Sequence, residues 1–220
     1  MRGGGVNPKS RFAPRRVGLL GGSFNPAHRG HVDITLAALG RLKLDQVWWL
    51  VSPQNPLKPI GGMAPLDRRI AAARALMRHP RVIVTDIEQA LGTRFTADTL
   101  RALVRAFPRT RFVWLMGADN LLQISRWEAW KRIFHIVSIA VFARPTYVSR
   151  ALSGMASRRF ARRRLAANAA GMLARNKPPA WAFLFTRLNP ISASAIRAGR
   201  QTGRRQPRMG RNPNREVKHR

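Results

Sequence analysis

The chain has 220 residues, 45% of them apolar, which is enough to fill a sizeable core and excludes wholesale disorder. It contains no cysteine, which excludes a disulfide framework, a thiol nucleophile and any cysteine-ligated metal. Lysine and arginine number 41 against nine acids, a net charge of +32, and such a field draws in phosphate-bearing partners.

In chain order, residues 1–14 are rich in Gly, Pro, Arg and Lys and read as a disordered leader. Apolar runs over 17–20, 47–51, 82–85, 112–116, 136–142 and 181–185 predict strands, near-continuously apolar as in strands covered on both faces. The amphipathic stretches between them predict helices over 31–42, 65–77, 96–106, 127–134 and 151–173. Strand and helix alternating at this spacing implies an α/β fold, a Rossmann-like doubly wound parallel sheet with helices on both faces. One such domain is expected over 15–198. Residues 199–220 hold one Val and one Met as their only apolar side chains and read as a disordered basic tail. The charge is not confined to the ends, because residues 17–196 carry +19 of the total. No apolar run approaches the roughly 20 residues of a membrane span, and the first ten residues lack a secretion-signal core. A cytoplasmic protein without a membrane partner is expected.

In a sheet of this kind ligands bind at the carboxyl ends of the strands. The first strand runs into GGSFNPAHRGH. Gly21 and Gly22 permit a tight turn and close backbone approach to a ligand, and Ser23 and Phe24 follow in the same turn. His28 and His31 open the next helix three residues apart and so share a face. Helix N-terminal amides and two imidazoles make an anion site there. A metal held by these two histidines is not expected, because no third ligand lies nearby in sequence.

The segment resembles the GGxFxPxHxGH signature of the nucleotidylyltransferase superfamily, and more narrowly it is similar to bacterial nicotinate-mononucleotide adenylyltransferases. The resemblance implies that His28 and His31 bind the phosphates of ATP. A second motif, ISASAIR over 191–197, is similar to the family's ISSTxIR, with Ala193 and Ser194 in place of Ser and Thr. Ser192 or Ser194 would cap a helix whose amides face a phosphate, and Arg197 would supply a planar cation to the β- and γ-phosphates.

Weaker matches lie between. Asn55 and Lys58 fall in a loop that resembles the family's NPxK and would sit at the acceptor phosphate. Thr96, in a segment similar to the family's SYTxDTL with Phe95 at the Tyr position, would face the nicotinate carboxylate. Gly117 and Asp119 resemble a GxD that holds the adenosine ribose. Trp127 matches an aromatic that stacks on the nicotinate ring. Together these imply transfer of AMP from ATP to nicotinate mononucleotide, giving deamido-NAD and pyrophosphate, with Mg2+ carried by the nucleotide and His28, His31 and Arg197 as the catalytic set.

Two other acceptors remain in view. Phosphopantetheine adenylyltransferases share both end motifs but lack the Trp127-type segment, and nicotinamide mononucleotide differs from nicotinate only in its amide. From another class, a basic nucleic-acid-binding protein built on a nucleotide-binding fold would use the Arg158 to Arg164 stretch and the tail, and non-specific nucleic acid is a candidate partner through the basic termini.

Overall fold

The computed structural model describes residues 16–53 and 63–185. The predicted leader and tail lie outside these residues, as do Asn55, Lys58, Ser192, Ser194 and Arg197. Seven parallel strands form the sheet: β1 (Arg16–Gly22), β2 (Gln46–Val51), β3 (Val82–Thr85), β4 (Arg111–Gly117), β5 (Ser138–Phe142), β6 (Arg164–Leu165) and β7 (Trp181–Leu184). Their spatial order is β3-β2-β1-β4-β5-β7-β6. The order runs leftward from β1 to β3 and rightward from β4, so the reversal lies between β1 and β4. A crevice opens at such a switch point, outside the carboxyl ends of the two strands.

Period-two alternation explains why both faces of the sheet are covered. Val17, Leu19, Trp48, Leu50, Trp114 and Ile139 point into one apolar layer, shared with α4 (Thr96–Ala106), α5 (Ala118–Gln123) and α6 (Trp130–Ile136). Leu20, Val47, Trp49, Val51, Leu115 and Phe142 point into the other, against α1 (Arg29–Arg41) and α2 (Leu66–Leu76). Adjacent tryptophans at 48 and 49 therefore serve opposite cores, and both are buried. The doubly wound parallel sheet read from the sequence is the fold observed.

Most elements match the predicted ranges to within about two residues; the larger differences fall around the fifth strand and the helix before it. The run over 136–142 is divided: α6 ends at Ile136 and β5 begins at Ser138. A short apolar run is ambiguous between buried helix and strand, and here Ile133 and Phe134 carry the helix on to Ile136. The helix expected over 127–134 starts only at Trp130, because Ile124–Arg126 form a 3-10 turn and Ala129 adopts a left-handed φ of 50°.

The long helix expected over 151–173 does not exist. Its residues fall into α7 (Val148–Leu152), α8 (Met155–Arg159), a 3-10 turn at Ala161–Arg163, the edge strand β6 and a 3-10 stretch at Ala167–Met172. From 158 to 164 only Phe160 and Ala161 are apolar, too little for a continuous helical stripe. Pairing of Leu165 with Ala182 draws the chain into extended form instead. A four-residue helix, α3 (Ile87–Ala90), and α5 were not anticipated.

Candidate active site

The first strand ends in a turn that is packed from below. A Cβ on Gly21 would collide with the ring of Trp114 on β4, so only glycine lets β1 cross at this height. The Gly22 carbonyl accepts the Ser52 N–H at 2.9 Å, which ties the ends of β1 and β2 together. Phe24 takes a left-handed φ of 46°, is buried, and stacks on Trp49 at 4.9 Å between ring centroids. Trp49 in turn donates its indole N–H to Thr35 Oγ1 at 2.7 Å, and Thr35 donates to the His31 carbonyl at 2.8 Å. The turn is thus fixed to α1 by one continuous stack and hydrogen-bond chain.

At the head of α1 the two histidines cap the helix reciprocally. His28 Nδ1 accepts the Gly30 N–H at 3.2 Å, and His31 Nδ1 accepts the His28 N–H at 3.2 Å. This is a capping box built from imidazoles in place of Ser and Glu. Because both Nδ1 atoms accept from backbone amides, the proton of each neutral ring sits on Nε2. The rings lie 3.9 Å apart, and Phe24 packs against His31 at 4.6 Å. Burial of His28, helped by the charge of Arg144 and opposed by Asp119 and Asp33, lowers its pKa to about 4. At neutral pH the ring is therefore an uncharged donor.

The end of β4 contributes Gly117 and Asp119, at the start of α5. A Cβ on Gly117 would collide with Asp119 Oδ1, so the carboxylate folds back over the strand end. Asp119 Oδ1 is buried, lies 3.4 Å from Arg144 Nε, and has no hydrogen bond within the described residues. Arg144 follows β5, and its charge and that of Asp119 both reach His28. The ends of β1, β4 and β5 therefore converge on one electrostatic neighbourhood.

Two further predicted residues lie on neighbouring elements. Trp127 is half-buried and meets Trp114 edge-on at 6.5 Å, which places it beside the ring that underlies Gly21. Thr96 is the first residue of α4, with Phe95 as its cap. Below that helix start, Thr93 and Thr99 hydroxyls pair at 2.9 Å, and buried Glu88 bonds both Ser52 and Thr99. Burial raises the Glu88 pKa, and those two hydrogen bonds oppose the rise.

Sequence reasoning missed three residues that shape this site. Arg69 is 3% exposed and holds four backbone carbonyls: Ser23 and Ser52 at 2.7 Å, Ala64 at 2.8 Å and Pro53 at 3.0 Å. Its signal was an arginine at helical spacing with Ile70 and Ala73 on the buried face of α2. Arg144 and Glu88 carried no comparable pattern. Among the described residues no group of three or more His, Cys, Asp or Glu could hold a metal ion.

Comparison with known proteins bears on this arrangement. The family model described as cytidylyltransferase-like matches residues 19–199. The chain is 57% identical over 188 residues to a protein of Cereibacter sphaeroides (strain ATCC 17025) named "Probable nicotinate-nucleotide adenylyltransferase", covering 86% of this chain and 98% of the relative. Proteins of the same name from Ruegeria pomeroyi and Methylorubrum extorquens are 54% and 50% identical over 182 residues, each alignment covering 83% of this chain and respectively 85% and 98% of the relative. In fold it is similar to the Plasmodium falciparum nicotinic acid mononucleotide adenylyltransferase solved with NaAD, at a TM-score of 0.61 and 15% identity, covering 84% of this chain and 83% of that one. With these relatives matched along nearly their full length, the chain belongs to the nicotinate-nucleotide adenylyltransferases, a family of cytidylyltransferase-like nucleotidyltransferases.

Proposed function

We propose that the crevice between β1 and β4 is where this nicotinate-nucleotide adenylyltransferase transfers AMP from ATP to nicotinate mononucleotide. A phosphate oxygen of the mononucleotide attacks the α-phosphorus of ATP. The new P–O bond gives deamido-NAD, and the bond to the bridging oxygen breaks to release pyrophosphate. The attacking group is already an anion at neutral pH, so no protein nucleophile or base is required. Positioning and charge stabilisation then carry the catalysis.

The observation that carries this reading is the paired imidazole cap of α1 at the switch point. It presents Nε2 protons and helix-start amides together, where a polyphosphate would lie. His28 is neutral before ATP arrives, and its Nε2–H, with that of His31, would donate to the phosphates as charge builds on the leaving group while both Nδ1 atoms keep the helix cap. Asp119, with Oδ1 buried and lacking a hydrogen bond among the described residues, suits acceptance from ribose hydroxyls. Thr96 and Trp127 would wall the nicotinate ring. Asn55 and Lys58 would meet the acceptor phosphate, and Ser192, Ser194 and Arg197 the β- and γ-phosphates. Mg2+ prefers oxygen ligands, and the donors at the head of α1 are imidazoles. The ion would therefore be held by ATP's own phosphates, where it neutralises the departing pyrophosphate. Use of ATP as co-substrate is consistent with a cytoplasmic reaction.

The test is pyrophosphate release from ATP and Mg2+ with nicotinate mononucleotide, nicotinamide mononucleotide and phosphopantetheine in parallel. A strong preference for nicotinate mononucleotide is expected, and preference for another acceptor overturns the assignments of Thr96 and Trp127. His31→Ala should lower kcat by about two orders of magnitude, the usual worth of a preorganised charge-stabilising donor. Unchanged turnover in that variant would remove His31 from the site.

A further inference from the structure

A basic groove lies at the opposite end of the sheet from the proposed adenylyl-transfer crevice. It lies at the amino-terminal ends of β5, β6 and β7, away from Gly22 and Gly117. One cavity of about 480 Å³ is lined by His135, Arg158, Arg159, Arg162, Arg163 and Pro179, among others. A second, of about 320 Å³, shares Arg162, Arg163 and Pro179 and adds Arg164 and Lys177. The shared wall makes the two cavities one track. All six of its Lys and Arg side chains are exposed.

General arginine-richness does not account for this track. Residues 16–128 hold sixteen Lys and Arg with eight acids, whereas residues 129–185 hold eleven with none. Acids have been segregated from this half of the fold, and of its cations only Arg144 has a carboxylate partner among the described residues. Two arginines of the track are also positioned. Arg164 lies over the Trp181 and Phe183 rings at 5.4 and 5.7 Å, and Arg159 over Phe160 at 5.9 Å. A guanidinium resting against an aromatic ring loses less freedom when it binds an anion.

We propose that this track binds single-stranded nucleic acid through its phosphates. Charges repeated along two joined cavities match a polymer of phosphates better than a lone phosphate ion. A concave groove follows a flexible single strand, and the five-residue α8 is too short to serve as a recognition helix for a duplex. No feature of the track reads bases, so binding is independent of sequence.

The experiment is fluorescence anisotropy with the full chain and a labelled oligouridylate of about 16 nucleotides, between roughly 50 and 200 mM salt. The chain carrying Arg158→Gln, Arg162→Gln, Arg163→Gln and Lys177→Gln should bind at least about tenfold more weakly at low salt. Its log–log salt slope should be shallower by about 3, at roughly 0.7 for each phosphate no longer neutralised. Its adenylyl-transfer rate should be unchanged, which keeps this result separate from the reading of the crevice. An oligothymidylate of equal length should bind within about threefold of the RNA, because phosphates and not sugars are held. The proposal is overturned if the fourfold variant binds like the original chain. Loss of binding with Arg204→Gln, Arg205→Gln, Arg208→Gln and Arg211→Gln alone overturns it equally, as that places the binding in the terminal segment. Tighter binding of a duplex, of polyglutamate or of phosphatidylserine vesicles assigns the track to a different partner.

Discussion

In the proposed reaction His28 has two tasks for one ring, and the division between its nitrogens makes that feasible. Nδ1 is occupied by the Gly30 amide, so the helix cap persists while Nε2 serves a ligand. The same placement gives the ring a signature in stability. In the folded protein its pKa is lowered to about 4, against 6.5 in the unfolded chain, chiefly by burial. Between those values the unfolded state binds more protons than the native state. Stability is therefore fully present above about pH 6.5 and is lost as pH falls toward 4, by up to about 3 kcal/mol. His28→Asn keeps an acceptor for the Gly30 amide but cannot titrate. Urea unfolding at several pH values should show the original chain losing stability across that window more steeply than the variant. Parallel curves would mean that His28 is not held neutral by the fold.

At the scale of elements, the site depends on loops pinned by one helix. Arg69 reaches from α2 to carbonyls after β1 and β2, so a single side chain ties the end of β1, which borders the crevice, to the end of its neighbour β2. Removing it leaves buried carbonyls without donors, each at a cost of about 1–3 kcal/mol unless water replaces it. Arg69→Met should lower unfolding stability by about 3 kcal/mol and raise KM for the acceptor. Arg69→Lys should recover only part, since an ammonium cannot span four carbonyls in the geometry of a planar fork. Calorimetric melting together with steady-state kinetics would check both, and a fully stable Arg69→Met chain would refute the clamp. This residue also marks where the sequence stops being legible. The glycines at the end of β1, the histidine pair at the head of α1 and the carboxylate after β4 could be read because each lies at or just beyond the end of an apolar strand, and chain order then fixes their place. Arg69 could not, because its partners are carbonyls of loops whose path no local pattern describes. The breaks within 151–173 were hidden for a related reason. Apolar residues on either side of the arginine-rich 158–164 suggest one helix, whereas pairing of Leu165 beside β7, with a partner distant in sequence, draws the chain into a strand.

At the scale of the whole molecule, the charge acts on both ends of the sheet at once. Every acid of the described residues lies between 33 and 128, the part that forms most of the switch-point crevice, yet that part is still net positive. Both substrates of the proposed reaction are anions, so the field of the chain should raise their encounter rate with the crevice. Salt shortens the reach of that field to about 8 Å near physiological ionic strength, so long-range attraction fades well before interactions inside the crevice do. The expected outcome is that kcat/KM for nicotinate mononucleotide falls about tenfold between low and high salt while kcat changes little. The four-glutamine variant of the basic track separates this from occupancy of the far groove. If attraction comes from the summed charge, removing four cations at the opposite end should flatten the salt dependence of kcat/KM only slightly, while the salt dependence of oligonucleotide binding collapses. Should both profiles flatten together, the crevice and the track would share one local field, and the separation of acids from bases along the chain would serve catalysis directly.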